Sequence, residues 1–456
     1  MDSITRKTLF SRAIAIMLLA LLVMASPLSG CIGGEKKETV SPSGGVEENP
    51  IEFGNFTMLW RHAGFWDEHQ TVYGGKVFCP MCNEDPPNLK VVDLYTGNVE
   101  RQINLSRKSA TAPFFAHGRV YLFCHALETE FGGSGTVCVI NMTTWKIENE
   151  WSVDYGADVE VFPYDSETDC FYLPSGCYKA STGEKVWSTL QSAFPPYQQF
   201  MDRGGALIVG NTVYYHNPCF FRAYDKKTGS PLWSLPLAHL PPAQATFPLD
   251  VGNTYNTPIY DSDHGLIYIG TDWFPYDDGI SDAPWRSGTV YAIDAEKQQV
   301  AWQRIFEGNA IKSVLTYHRG RLFVPLYNTP DGTRVALYWK DGSTLWENAV
   351  DGDDGWATSA VDDRYLYTAS HGRGSFIIQD QATGEVVWRT EAGLGICCAP
   401  IISGGVVIVG TEADYFAVKI GEGKLVDVPW KGNSNYTGYT PEGVYVPEEE
   451  KAPFAE

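Results

Sequence analysis

Positive charge is scarce in this chain. Its 456 residues carry 34 Lys and Arg against 55 Asp and Glu, a formal net charge of −21. That balance excludes a nucleic-acid partner, because phosphate backbones are held by clustered Lys and Arg. It also excludes electrostatic attachment to an anionic bilayer. Long apolar runs are scarce too. The sustained one, AIAIMLLALLVMA at 13–25, is 13 residues long, short of the roughly 20 that span a bilayer. Past residue 57 no amphipathic helical periodicity is evident. Familiar catalytic signatures are missing as well. There is no GxSxG, no HExxH, no glycine-rich phosphate loop after a strand and no CxxCH for a c-type haem. The nine histidines are scattered, and none pairs with a carboxylate or cysteine at ligand spacing.

What is present at the N-terminus reads as export. Arg6, Lys7 and Arg12 precede the apolar run, and LSGC follows at 28–31. LSGC looks like a lipobox, the signal at which a cysteine, here Cys31, becomes the lipidated first residue. Residues 1–30 are therefore expected to be a lipoprotein-type signal peptide. Residues 31–52, rich in Gly, Ser, Pro and Glu, are expected to be a flexible tether. The expected location is exported and lipid-anchored, on the outer face of the cytoplasmic membrane, in the periplasm or at the cell surface. Nine cysteines remain beyond Cys31. They suit an oxidising compartment, and their odd number leaves at least one thiol free or paired between chains. Four Asn-x-Ser/Thr sequons stand at Asn55, Asn104, Asn141 and Asn435.

The body is a repeat. GGKVFCP (74–80), GRVYLFC (118–124), GALIVG (205–210), GLIYIG (265–270), GRLFVPL (320–326), RYLYTAS (364–370) and GGVVIVG (404–410) are one strand written seven times. A second element follows it. AYDKKTGSPLW supplies Asp225, Gly229 and Trp233, and QDQATGEVVW supplies Asp380, Gly384 and Trp388. Looser copies carry Gly183 and Trp187, Asp294 and Trp302, and Gly342 and Trp346. The turn slot falls at Gly97, Trp145, Gly183, Gly229, Gln298, Gly342, Gly384 and Gly423, spaced 38 to 69 residues apart and mostly near 40–45. That period, with several strands per unit, predicts an all-β propeller of eight four-stranded antiparallel blades over 53–430, followed by a C-terminal tail over 431–456. Asp and Thr-Gly build the turn between third and fourth strands, and the Trp wedges between blades. LWRHAG (59–64) reads like VWRTEAG (387–393) with no blade before it. The strand around Trp60 is therefore expected to close the ring at the outer edge of blade eight.

The Ala-x-Asp-x-x-Thr-Gly-x-x-x-Trp repeat resembles the quinoprotein, or PQQ-like, eight-bladed propellers, over about residues 55–430. In overall plan the chain looks most like the BamB-like lipoproteins of that family. The resemblance implies one of two functions. BamB-like lipoproteins bind no cofactor and act as scaffolds in envelope protein assembly. The PQQ-dependent alcohol dehydrogenases hold pyrroloquinoline quinone and a metal, usually calcium, over the central channel. The preferred expectation is a non-catalytic scaffold for a protein or envelope component, with no cofactor and no metal. The alternative is a PQQ-dependent oxidoreductase.

Under that alternative the resemblance points to Cys397 and Cys398, since vicinal cysteines form a strained disulfide against the quinone in the dehydrogenases. Here CCAPIISGG stands where those enzymes have an acidic residue and an Asn-Arg-Gly run. Asp282 is the nearest counterpart of their catalytic Asp, without its Gly-Asp-Asn frame. Asp272, Asp277, Asp278 and Asp282 could make an oxygen-ligand calcium site or simply a solvated acidic loop. DGDDGW (351–356) reads as a turn. CPMC (79–82) is open to a structural disulfide, half a zinc site or a redox pair, and Cys124 with Cys138 to a staple across one hairpin. Aligning Pro113, Pro258 and Pro400 as strand-ending prolines puts Cys397 and Cys398 on a channel-lining inner strand. There they are either small residues filling a tight place or a vicinal disulfide facing the channel mouth.

Overall fold

Every blade begins from the same local chemistry. In blade 4, Leu207–Val209, Thr212–His216, Phe220–Asp225 and Pro231–Pro236 pair antiparallel in chain order. Between the last two strands the Asp225 Oδ1 accepts from the Lys227 N–H at 3.1 Å, the Thr228 N–H at 2.8 Å and the Thr228 hydroxyl at 2.9 Å. The Gly229 N–H closes the turn on the Asp225 carbonyl at 2.8 Å. Asp380 repeats this at Ala382 and Thr383, and Asp294 holds the Lys297 N–H at 2.8 Å. At the turn slot φ is positive in all seven described copies, including the two that are not glycine, Trp145 at 55° and Gln298 at 55°.

The computed structural model describes residues 52–53, 56–63, 70–81, 86–107, 112–124, 135–153, 163–189, 205–216, 220–237, 257–271, 287–311, 313–327, 332–350, 358–369, 375–391, 400–410 and 414–420. These hold 33 strands and no α-helix. Seven sheets have four strands: blade 1 over 71–104, blade 2 over 114–153, blade 3 over 164–188, blade 4 over 207–236, blade 5 over 259–307, blade 6 over 316–349 and blade 7 over 359–391. Blade 8 takes Ile401–Ser403, Val406–Gly410 and Asp414–Ile420 from the end of the chain. Its outer strand is Phe56–Ala63, from the beginning, with Glu52–Phe53 added outside it.

The ring closes on packing as well as on pairing. The buried apolar side chains fall into eight clusters, and each joins one blade to the next. The cluster holding Trp60, Val77, Cys79 and Ile408 joins blade 8 to blade 1. Each blade therefore buries both faces of its sheet, one against either neighbour, and none can stand alone.

Trp60 shows how the joint is made. It pairs with Ala417, as Trp233 does with Ala223, Trp302 with Ala292 and Trp346 with Ala336. The small residue opposite leaves room for the indole. The indole N–H then crosses to a carbonyl of the next blade: Trp60 to Leu94 at 2.9 Å, Trp187 to Lys226 at 3.0 Å, Trp302 to Trp339 at 2.7 Å and Trp346 to Gln381 at 3.0 Å. Its ring lies on the next blade's turn glycine, Trp60 on Gly97, Trp187 on Gly229, Trp302 on Gly342 and Trp346 on Gly384. Blade 3 receives Trp151 on Gly183. Trp151 sits two residues past the repeat position, which is Asn149 opposite Val139. Trp233 packs on Tyr214 and Phe221, and Trp388 on Phe376 and Phe56.

Candidate functional site

Alternating strand direction sorts the connections onto two faces. First-to-second and third-to-fourth turns lie on one face, and they are short: 74–75, 117–118, 210–211, 319–320 and 404–405 among the first kind. Second-to-third loops and blade-to-blade links leave the strand ends on the opposite face. They include 125–134, 189–206, 237–258, 272–286, 350–358 and 392–400. Long connections on a rigid scaffold are where binding residues gather, so this loop face is the candidate site.

The strands that bound the sequence-derived candidates have their ends on that face. Asp282, with Asp272, Asp277 and Asp278, falls in the connection 272–286 of blade 5, and Cys397 and Cys398 in the link to blade 8. All six lie outside the described residues, as do Cys31, Cys82, DGDDGW, the signal, the tether up to residue 51 and the tail, while Glu52 is already in a strand. The three aligned prolines do not end strands. Pro113, Pro258 and Pro400 stand immediately ahead of the inner strands Phe114–Ala116, Ile259–Asp261 and Ile401–Ser403. They introduce the strands rather than end them, so the cysteine pair precedes the inner strand. A proline suits that position because its missing N–H costs the ladder nothing there.

Sequence reading missed the polar lining under the loops. Asn88, His216, Arg222, Thr271, Thr289, Arg334 and Ser375 are all buried near the loop-face ends of second and third strands. Nothing periodic marks them, since they interrupt otherwise apolar strands. Around the centre the inner strands are tied between blades. The Thr71 hydroxyl donates to the Pro113 carbonyl at 2.9 Å and the Thr316 hydroxyl to the Ser359 carbonyl at 2.7 Å.

The turn face is different in kind, because its polar groups are spent on one another. Lys226 of blade 4 reaches Asp165 at 3.0 Å and Glu167 at 2.9 Å on blade 3. His117 of blade 2 meets Asp169 of blade 3 at 2.6 Å, and His318 of blade 6 meets Asp363 of blade 7 at 3.0 Å. Hydrogen bonds from Lys226 and Lys227 hold the Glu167 carboxyl down at about 2. Burial holds His318 below the usual histidine range against the pull of Asp363. Ser181 also donates to Asp169 at 2.5 Å. That puts the carboxylate between serine and histidine, whereas nucleophile activation needs the imidazole in the middle.

The described cysteines are core residues. Cys79 lies buried at the blade 8 to blade 1 joint, and burial pushes its thiol up. Burial pushes Cys138 up to about 12. Cys124 and Cys138 stand diagonally across the ladder, Cys138 facing Leu122 and Cys124 facing Thr136, and both are free thiols. Asn141 spends its side chain inside a turn, accepting from the Thr143 and Thr144 N–H groups and donating to Glu148. Among the described residues no group of three or more His, Cys, Asp or Glu could hold a metal ion.

Residues 222–355 and 330–426 match the family model described as "Outer membrane protein assembly factor BamB". The chain is an eight-bladed propeller, and its residues 222–426 resemble that family. BamB from Moraxella catarrhalis aligns at 13% identity and a TM-score of 0.59, covering 80% of this chain and 100% of its own. A computationally designed protein, Ika8, aligns at 14% identity and a TM-score of 0.53, with coverages of 80% and 100%. A quinohemoprotein alcohol dehydrogenase from Pseudomonas putida HK5 aligns at 18% identity and a TM-score of 0.47, with coverages of 78% and 67%. No curated protein matches in sequence.

Proposed function

We propose that this chain is an extracytoplasmic scaffold, lipid-anchored at Cys31, that holds a protein partner of the cell envelope on its loop face and performs no chemistry of its own. The asymmetry of the two faces carries the reading. Every long connection leaves one face, while the other is closed by short turns whose charges pair across blades. The family description supports an assembly role, and the basic, apolar and LSGC order at the N-terminus supports export and anchoring.

Photo-crosslinking in native membranes tests it. A crosslinking residue placed at Phe274 or Gly355, within loop-face connections, is expected to capture a protein partner. One placed at Lys340 or Ala382, on the turn face, is expected not to. Capture from the turn face alone would overturn the reading. A stoichiometric complex with pyrroloquinoline quinone and calcium, seen as bound quinone absorbance, would replace the scaffold with an oxidoreductase. In that case Cys397, Cys398 and Asp282 are the residues to hold the cofactor.

A further inference from the structure

Blade 3 departs from the repeat at two neighbouring places. Where blades 4, 5, 6 and 8 set an alanine opposite the outer tryptophan, blade 3 sets Cys177 opposite Trp187. Where blades 4 and 7 begin the turn with an aspartate, blade 3 has Lys179, and Lys179 faces Cys170. Cys170 and Cys177 thus lie on one face of adjacent strands, diagonally across the ladder, with Tyr172 directly opposite Cys177. Both are free thiols, both are buried, and both belong to the cluster that joins blade 3 to blade 4 beside Trp187.

We propose that Cys170 and Cys177 form a reversible dithiol–disulfide pair, a redox-sensitive site inside the joint between blades 3 and 4. The Cys170 Sγ donates to the Thr168 carbonyl at 3.2 Å, and Lys179 stands directly opposite it on the ladder. The neighbouring Cys177, the Thr168 side chain and the Lys179 charge draw the Cys170 thiol below its ordinary range, while Cys170 and burial hold Cys177 above it. Cys170 is therefore the attacking sulfur. Its thiolate attacks a small disulfide, forming a mixed disulfide and expelling one half as a thiolate. Cys177 gives up its proton and attacks the Cys170 sulfur, expelling the second half. Two S–H bonds are lost and one S–S bond is formed. The two electrons pass to the oxidant, which ends as two thiols.

The diagonal placement makes the bond labile. Diagonal partners across an antiparallel pair stand about 7–8 Å apart between Cα atoms, beyond the roughly 4.4–6.8 Å that a relaxed disulfide spans. Closure must draw the two strands together, and a disulfide formed against such resistance is readily reduced. Both sulfurs are buried, and the turn 166–169 directly ahead of Cys170 is pinned through Asp169 by His117 and Ser181. Oxidation of the folded protein is therefore slow.

The test is mass mapping of the whole folded chain after equilibration with glutathione at graded oxidised-to-reduced ratios, followed by denaturation, alkylation and digestion. Expected is a peptide linking Cys170 to Cys177, lighter by two hydrogens, which forms as the ratio rises and disappears with dithiothreitol. In Cys177→Ala, which restores the residue used in blade 4, the link is lost and Cys170 carries a glutathione adduct instead. Recovery of both cysteines as alkylated thiols at every ratio would overturn the proposal. So would a link from either of them to another cysteine, or a bond that resists dithiothreitol.

Discussion

Trp60 lies so close to Gly97 that a Cβ on the glycine would stand 2.5 Å from the indole Cγ. The glycine is required twice over, once for its φ of +74° and once for the space the ring occupies. Gly118 separates the two requirements, since its φ is +65° with nothing within 4 Å of a Cβ there. Gly118→Ala is expected to cost about 1 kcal/mol, the backbone term alone. Gly97→Ala adds overpacking of a fixed ring and is expected to cost about 2–4 kcal/mol. Urea unfolding of the two variants checks the difference, and equal losses would sink the account.

The same tryptophan sits on the strand that closes the ring. Removing 52–63 takes from blade 8 its outer strand, and with it the contacts of Phe56 and Met58 to blade 7 and of Trp60 to blade 1. It also exposes the edge of Asp414–Ile420 for pairing with another chain. The truncated protein is expected to melt well below the full chain and to aggregate on heating. Trp60→Ala alone is expected to cost about 3–5 kcal/mol. An unchanged Tm on truncation would show that the ring does not depend on this strand.

The turns and the period were legible in the sequence because their chemistry is local. Asp225, Thr228 and Gly229 satisfy one another within five residues, so the pattern survives in the string. The docking of each tryptophan on the next blade's glycine was not, because the partners lie 37 residues apart at Trp60 and Gly97 and no local rule links them. Trp151 escaped for a related reason. The register shift between Ile147 and Asn149 recurs in the other blades and puts Asn149 in the ordinary slot, so the docking tryptophan two residues further on follows no spacing rule. The sorting of loops onto one face follows from strand alternation, yet it appears only once strand ends are fixed. Asp282, Cys397 and Cys398 were singled out by residue type, and type alone does not bring three distant segments together.

The docking also occurs in reverse. At the blade 1 to blade 2 joint both partners change at once: the turn slot holds Trp145, and the tryptophan slot, opposite Val91, holds Arg101. The Arg101 guanidinium lies over the Trp145 ring at 5.8 Å, so the aromatic now comes from the other side of the joint. Arg101→Trp alone is expected to crowd Trp145 and destabilise by about 1–3 kcal/mol. The double variant Arg101→Trp with Trp145→Gly rebuilds the ordinary pair and is expected to recover most of that loss. A double-mutant cycle in urea measures the coupling, and additive losses would show that the two sites are independent.

The charge pairs of the turn face make a pH prediction. Lys226 and Lys227 hold the Glu167 carboxyl at about 2, below its ordinary 4.5. A carboxylate whose folded pKa is depressed adds stability that is fully present above the unfolded value and is lost as pH falls through the folded one. The contribution of Glu167 is therefore constant near neutrality, shrinks from about pH 4.5 downward and is gone below about 2. Glu167→Gln cannot ionise and lacks that dependence. The wild-type chain is expected to melt above Glu167→Gln at pH 6, with the gap narrowing steadily between pH 4.5 and 2. Because Glu167 is exposed, the gap is expected to be small and to shrink further in high salt. Melting curves of both proteins across that range decide the matter, and a gap that stayed constant with pH would mean that the lysines do not hold this carboxylate.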